Sequence, residues 1–215
     1  MKKLILSLTV LIALTATTRA QDASPTDLRS SLLFGFKAGI NYSNVYDSEG
    51  QDFQADSKIG FAGGVFFAIP FGKLFGFQPE ILFSQKGYQS TGSILGSTYS
   101  MTRTTNWIDL PLLFSFKPVQ YINLVAGPQY SYLLSRKDEF TSGNTTTEQE
   151  KEFENENIRK NILCFTGGVD LTANRMVIGA RAGWDFQTNN GDGTSSTPRY
   201  KNMWYQLTLG FRFAG

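Results

Sequence analysis

Apolar and polar residues alternate with a period of two through most of the chain, the spacing that sends successive side chains to opposite faces of a β-sheet. At the C-terminal end Met203, Tyr205, Leu207, Leu209, Phe211 and Phe213 share one face, against Gln206, Thr208, Gly210 and Arg212. Before them Met176, Ile178, Ala180, Ala182, Trp184 and Phe186 alternate with Gly179, Arg181, Gly183, Asp185 and Gln187. From residue 161, Leu163, Phe165, Val169 and Leu171 oppose Cys164, Thr166, Gly168 and Asp170. Ile122, Leu124, Ala126, Tyr130 and Tyr132 alternate with Asn123, Gly127, Gln129 and Ser131. Ile108, Leu110, Leu112, Phe114 and Phe116 alternate with Asp109, Ser115 and Lys117, and Phe75, Phe77, Ile81 and Phe83 with Gln78, Glu80, Ser84 and Lys86. Phe61, Val65, Phe67 and Ile69 mark one more apolar face, and Phe36, Ala38, Ile40 and Tyr42 the first. About eight antiparallel strands follow.

Alternation by itself also suits a soluble sandwich or a lipocalin-like barrel, whose apolar face points inward. Connection length decides between them. Segments 72–74, 117–119 and 173–175 read as tight turns, whereas 46–57, 89–104, 136–160 and 188–199 read as long polar loops. Strict alternation of short and long connections is the asymmetry of an outer-membrane barrel, with short periplasmic turns and longer external loops. Aromatic residues near strand ends (Tyr42, Tyr130, Tyr132, Trp184, Phe186, Tyr205) suit interfacial girdles. The expected fold is an all-β, eight-stranded antiparallel up-and-down transmembrane barrel with both termini in the periplasm.

Composition supports this. The 215 residues include 21 Gly, 18 Phe and 9 Tyr, and beyond the N-terminal apolar run no stretch reaches the ~20 apolar residues of a membrane-spanning helix. That N-terminal run, residues 4–15, follows a basic start and precedes Thr18-Arg19-Ala20. This is the order of a secretory signal, too short to span as a helix. Residues 1–20 are therefore expected to be a signal peptide, 21–33 a short periplasmic segment, and 34–215 the outer-membrane barrel. A net charge of +2 without a basic block gives no expectation of a nucleic-acid partner.

Several strands carry family signatures. Gly35-Phe36-Lys37-Ala38-Gly39-Ile40-Asn41-Tyr42-Ser43 resembles the opening strand of the PorT-like outer-membrane β-barrel proteins of Bacteroidetes. Phe77-Gln78-Pro79-Glu80-Ile81-Leu82-Phe83-Ser84-Gln85-Lys86-Gly87 is similar to that family's third strand. Trp107-Ile108-Asp109-Leu110-Pro111-Leu112-Leu113 resembles the fourth, and Ala126-Gly127-Pro128 the fifth. The resemblance implies an eight-stranded outer-membrane barrel; named members serve secretion or gliding systems. The chain ends in Ala214-Gly215 rather than in a terminal aromatic.

For chemistry, the chain holds no histidine and one cysteine, Cys164. Barrel lipases, deacylases and proteases generally rely on a histidine beside serine or carboxylates, so no enzyme, cofactor or metal is expected. Two charged groups stand out. Lys37, Glu80, Lys86, Asp109, Asp170, Arg181, Asp185 and Arg212 fall on inward-facing positions and are expected to form an ion-pair network filling the lumen. A polar route for ions is the competing reading. Asp138, Glu139, Glu148, Glu150, Glu152, Glu154 and Glu156 make the third long loop acidic, either as a solvated loop or as a surface for a cationic partner, divalent ions or lipopolysaccharide. Asn189-Asn190-Gly191-Asp192-Gly193 only faintly resembles a calcium loop, without the distal bidentate Glu. The expected role is structural or interactive: an envelope component, or part of a secretion or surface assembly, in contact with outer-membrane lipid. A narrow pore and a lipid-modifying enzyme are the alternatives, the second disfavoured by the missing histidine.

Overall fold

A computed structural model describes residues 27–47, 55–94, 97–142, 145–151, 158–191, 193–194 and 198–214. The expected signal peptide, and most of the segment after it, lie outside these residues. Nine antiparallel strands are described: β1 (Leu33–Asp47), β2 (Asp56–Pro70), β3 (Phe75–Ile94), β4 (Ser97–Val119), β5 (Ile122–Ser142), β6 (Thr145–Lys151), β7 (Asn161–Ala173), β8 (Met176–Asp185) and β9 (Tyr200–Ala214). Each pairs with its neighbour in sequence except that β7 pairs with β5 rather than with β6, and β1 pairs with β9 from Leu33↔Ala214 to Asp47↔Tyr200. β6 and β7 lie along the same edge of β5, β6 beside Arg136–Ser142 and β7 beside Ile122–Tyr132. They count as one interrupted stave, and the sheet closes as an eight-stranded barrel.

The period of two is expressed as an inside-out molecule. Outward positions hold Phe36, Ile40, Phe61, Phe67, Ile81, Phe114, Leu163, Ile178, Leu207 and Leu209, each around half exposed. Inward positions hold Lys37, Asn41, Glu80, Lys86, Asp109, Gln129, Asp170, Arg181 and Gln206, all buried. Apolar surface on that scale is stable only against lipid. Aromatics bracket the band. Phe34 stacks on Phe213 at 5.1 Å and Phe75 on Phe116 at 5.4 Å near one end, and Tyr42 faces Tyr205 across the β1–β9 seam towards the other.

Three connections are tight, at residues 71–74, 120–121 and 174–175, the last with Asn174 at φ 52°. All three lie at the end of the barrel where Leu33 pairs with Ala68 and Ala214. At the other end the structure departs from expectation. Residues 89–104 were expected as a loop; instead Gln89–Ile94 pairs with Ser97–Thr102. Likewise Arg136–Ser142 pairs with Thr145–Lys151. Both are hairpin arms that continue the barrel wall, and their mostly polar sequences carry no apolar alternation to announce them. Lys117 and Val119 belong to β4 rather than to a turn. Gln187 lies beyond the end of β8, exposed, and its side-chain oxygen accepts from the Leu163 N–H at 3.2 Å.

Candidate functional site

The lumen is built in tiers because each inward residue on one strand faces inward residues on its neighbours. The lower tier, nearer the tight turns, comes from β1, β3, β7 and β8. Lys37 meets Glu80 at 2.5 Å, and Arg181 meets Asp170 at 2.7 Å and Glu80 at 3.6 Å. Two cations and two anions thus balance. Gln78 donates to Glu80 at 2.9 Å and to Asp170 at 3.2 Å, while Asn123 donates to Gln78 at 3.0 Å and Ser115 to Asn123 at 2.6 Å. Of the buried nitrogens here, Arg181 Nε alone has no partner among the described residues.

A neutral tier follows. Asn41 donates to Ser84 at 2.7 Å and accepts from Gln206 at 2.9 Å. Above it, Lys86 pairs with Asp109 at 2.9 Å, and Ser131 donates to the same carboxylate at 2.6 Å. The Lys86 ammonium also lies 3.8 Å from the Trp204 ring centroid and 5.6 Å from that of Trp107. Asp185 accepts from the Asn202 backbone N–H at 3.0 Å, from the Asn202 amide and from the Cys164 thiol at 3.1 Å. Trp107, Leu133, Ile162, Cys164 and Trp204 pack together around this tier. Ion pairs thus occupy the lower part of the lumen, and an aromatic-aliphatic layer lies above them.

Arg212 stands apart from the other predicted lumen charges. It is half-buried at the turn end, where its Nε donates to the Asn174 carbonyl at 3.0 Å. Trp107 and Trp204 also point inward and are buried, and neither was among the expected lumen residues. Their phase within the alternation is the signal that could have found them.

At the external end Arg103 grips Asp138 through both carboxylate oxygens, at 2.8 and 2.9 Å, and Arg136 approaches the same group at 3.2 Å. Arg103 also donates to the Tyr200 hydroxyl at 3.2 Å and lies 5.7 Å from the Tyr88 ring. Tyr88 and Tyr200 meet edge-to-face at 5.4 Å over Val45. Glu139 pairs with Lys137 at 2.8 Å. Asp138 and Glu139 are thus compensated acids. Glu148 and Glu150 lie on β6, at positions opposite Glu139 and Lys137, and Glu152, Glu154 and Glu156 lie outside the described residues.

Ser131 donates a hydrogen bond to the Asp109 carboxylate, whose charge Lys86 already neutralises, the arrangement of a buried ion pair. Among the described residues no group of three or more His, Cys, Asp or Glu is arranged to hold a metal. Asn189, at the faint calcium motif, accepts from the Gly191 and Tyr200 N–H groups and donates to Pro198, so it brackets the loop; Asp192 lies outside the described residues.

A closed antiparallel barrel, apolar outside, polar inside and with its short turns at one end, defines a small outer-membrane β-barrel protein. Residues 19–213 match the Outer membrane protein beta-barrel domain, and the chain belongs to that family. It resides in the outer membrane, with both ends of the barrel sheet on the periplasmic side. Ail, the attachment invasion locus protein of Yersinia pestis, has a similar solved structure at 16% identity and TM-score 0.50, covering 85% of this chain and 99% of that one. Neisserial surface protein A matches at 11% identity and TM-score 0.44 over 84% of this chain and 97% of that one. OprG from Pseudomonas aeruginosa matches at 12% identity and TM-score 0.39 over 86% and 98%. No curated protein matches the sequence.

Proposed function

We propose that this protein is a closed, non-enzymatic barrel whose work is done at its surface, as an envelope component or as one part of a secretion or surface assembly. One observation carries the reading: the lumen is filled by compensated charge and capped by Trp107 and Trp204. An interior packed in this way leaves no continuous water path for a solute. The external hairpin arms then offer the accessible surface, extended, polar and stiffened by the Arg103–Asp138 pair. The signatures at residues 77–87 and 107–113 support placing the chain among the PorT-like members, a group that includes secretion components.

The experiment is gentle crosslinking in the native envelope, followed by co-purification with the full chain and with a variant lacking residues 140–156. A partner recovered reproducibly with the full chain, and lost from an equally well-assembled variant, supports an interaction surface on this arm. The same partners recovered from both forms would remove the arm from the account.

A further inference from the structure

Five lysine or arginine side chains are buried in the described barrel: Lys37, Lys86, Lys117, Arg136 and Arg181. Four of them meet a carboxylate, namely Glu80, Asp109, Asp138 and Asp170. Lys117 does not. It is 7% exposed, at the periplasmic mouth, and among the described residues its ammonium makes a single hydrogen bond, to the Arg29 carbonyl at 3.2 Å. A buried ammonium without a counter-charge is costly, and the rest of this barrel avoids one.

Its surroundings add positive charge. Lys117 lines a recess together with Arg212, Arg29, Gln78 and Asn123, and one carboxylate, Asp170, lines it too. Arg212 uses Nε on Asn174, and its two terminal nitrogens have no partner among the described residues. The neighbouring carboxylates are engaged elsewhere, Asp27 by Arg29 at 2.8 Å and Asp170 by Arg181 at 2.7 Å. The short 3-10 turn Leu28–Ser30 borders the recess through Leu28 and Arg29.

We propose that this recess is an oxyanion site reached from the periplasm, at which Lys117 supplies the buried charge and Arg212 a planar fork for paired oxygens. The ligand chemistry is a carboxylate or phosphate group on a periplasmic molecule. The side-chain amides of Gln78 and Asn123 line the inner part of the recess but already donate to Glu80, Asp170 and Gln78, so the oxyanion is held by Lys117 and Arg212.

Calorimetric titration of the full-length mature barrel in a non-ionic detergent, with inorganic phosphate in one arm and glutarate in the other, tests the site and separates the two sources. Saturable binding of either probe, weakened at least about tenfold by Lys117→Met and by Arg212→Gln, is the expected result. Lys73→Gln, an exposed cation on the 71–74 turn, leaves the affinity unchanged. If Lys117→Met does not fold, Arg212→Gln decides. No saturable binding up to about 10 mM of either probe, or equal affinity in wild type and Arg212→Gln, overturns the proposal.

Discussion

The Lys86 ammonium lies 3.8 Å from the ring centroid of Trp204 while pairing with Asp109 at 2.9 Å. One cation thus joins the ionic interior to the aromatic layer that caps it. Lys86→Met is expected to leave the Asp109 carboxylate buried with Ser131 as its remaining donor and to cost about 3–5 kcal/mol. Lys86→Met with Asp109→Leu removes both charges and should recover most of that loss. Urea unfolding in lipid vesicles measures the cycle; a double variant no more stable than the single one would contradict the pairing.

Barrel closure depends on the β1–β9 seam. A Cβ built on Gly39 would stand 1.9 Å from the Leu207 carbonyl oxygen, across that seam, so a side chain there must push the strands apart. Gly39→Val is expected to lose the compact, heat-modifiable band on gels. Gly167→Ala, whose Cβ would come no closer than 3.4 Å to the Val125 carbonyl, should keep it. Normal folding of Gly39→Val would show that the seam is looser than described.

The architecture was legible because every residue of a lipid-facing strand must choose a side. Phe36, Ile178 and Leu209 on one face, and Lys37, Arg181 and Gln206 on the other, leave a single workable pairing with lipid and lumen. Above the membrane that pressure vanishes. The sequence at 89–104 and 136–151 is mostly polar at both alternating positions, so it offers no apolar period to read. Register was hidden too: an offset between Asn106 and Trp107 of β4, set against Ser135 and Leu133 of β5, leaves Leu134 unpaired and turns Arg136 inward to meet Asp138. Arg212 had the right phase for the lumen, but its height on β9, next to the 174–175 turn, places it at the mouth.

The external arms should depend on Asp138. Asp138→Asn removes the charge that holds Arg103 and Arg136 together and leaves two cations facing each other. Limited trypsin digestion of the assembled protein is expected to cut the arm about tenfold faster in this variant, with the barrel itself intact. An unchanged cleavage rate would mean that the arm is held by backbone pairing alone.

The turn at the periplasmic mouth has a pH signature. Hydrogen bonds from the Arg29 side chain and backbone N–H hold the Asp27 carboxyl down from 3.8 to about 2. Because the folded value is depressed, the contact is fully present above the ordinary carboxylate range and is lost as pH falls through about 2. An NMR titration in micelles should give that midpoint, and Arg29→Gln should return it towards 3.8. A midpoint that ignores the substitution would rule out the contact.

On the proposed reading the lumen carries no ions, with Lys37–Glu80 and Arg181–Asp170 below and Lys86, Trp107 and Trp204 above. Planar-bilayer recording of the purified, correctly folded barrel tests it most directly. No resolvable unitary current is expected under conditions in which a control porin conducts. A stable open-channel current carried by the folded barrel would contradict it.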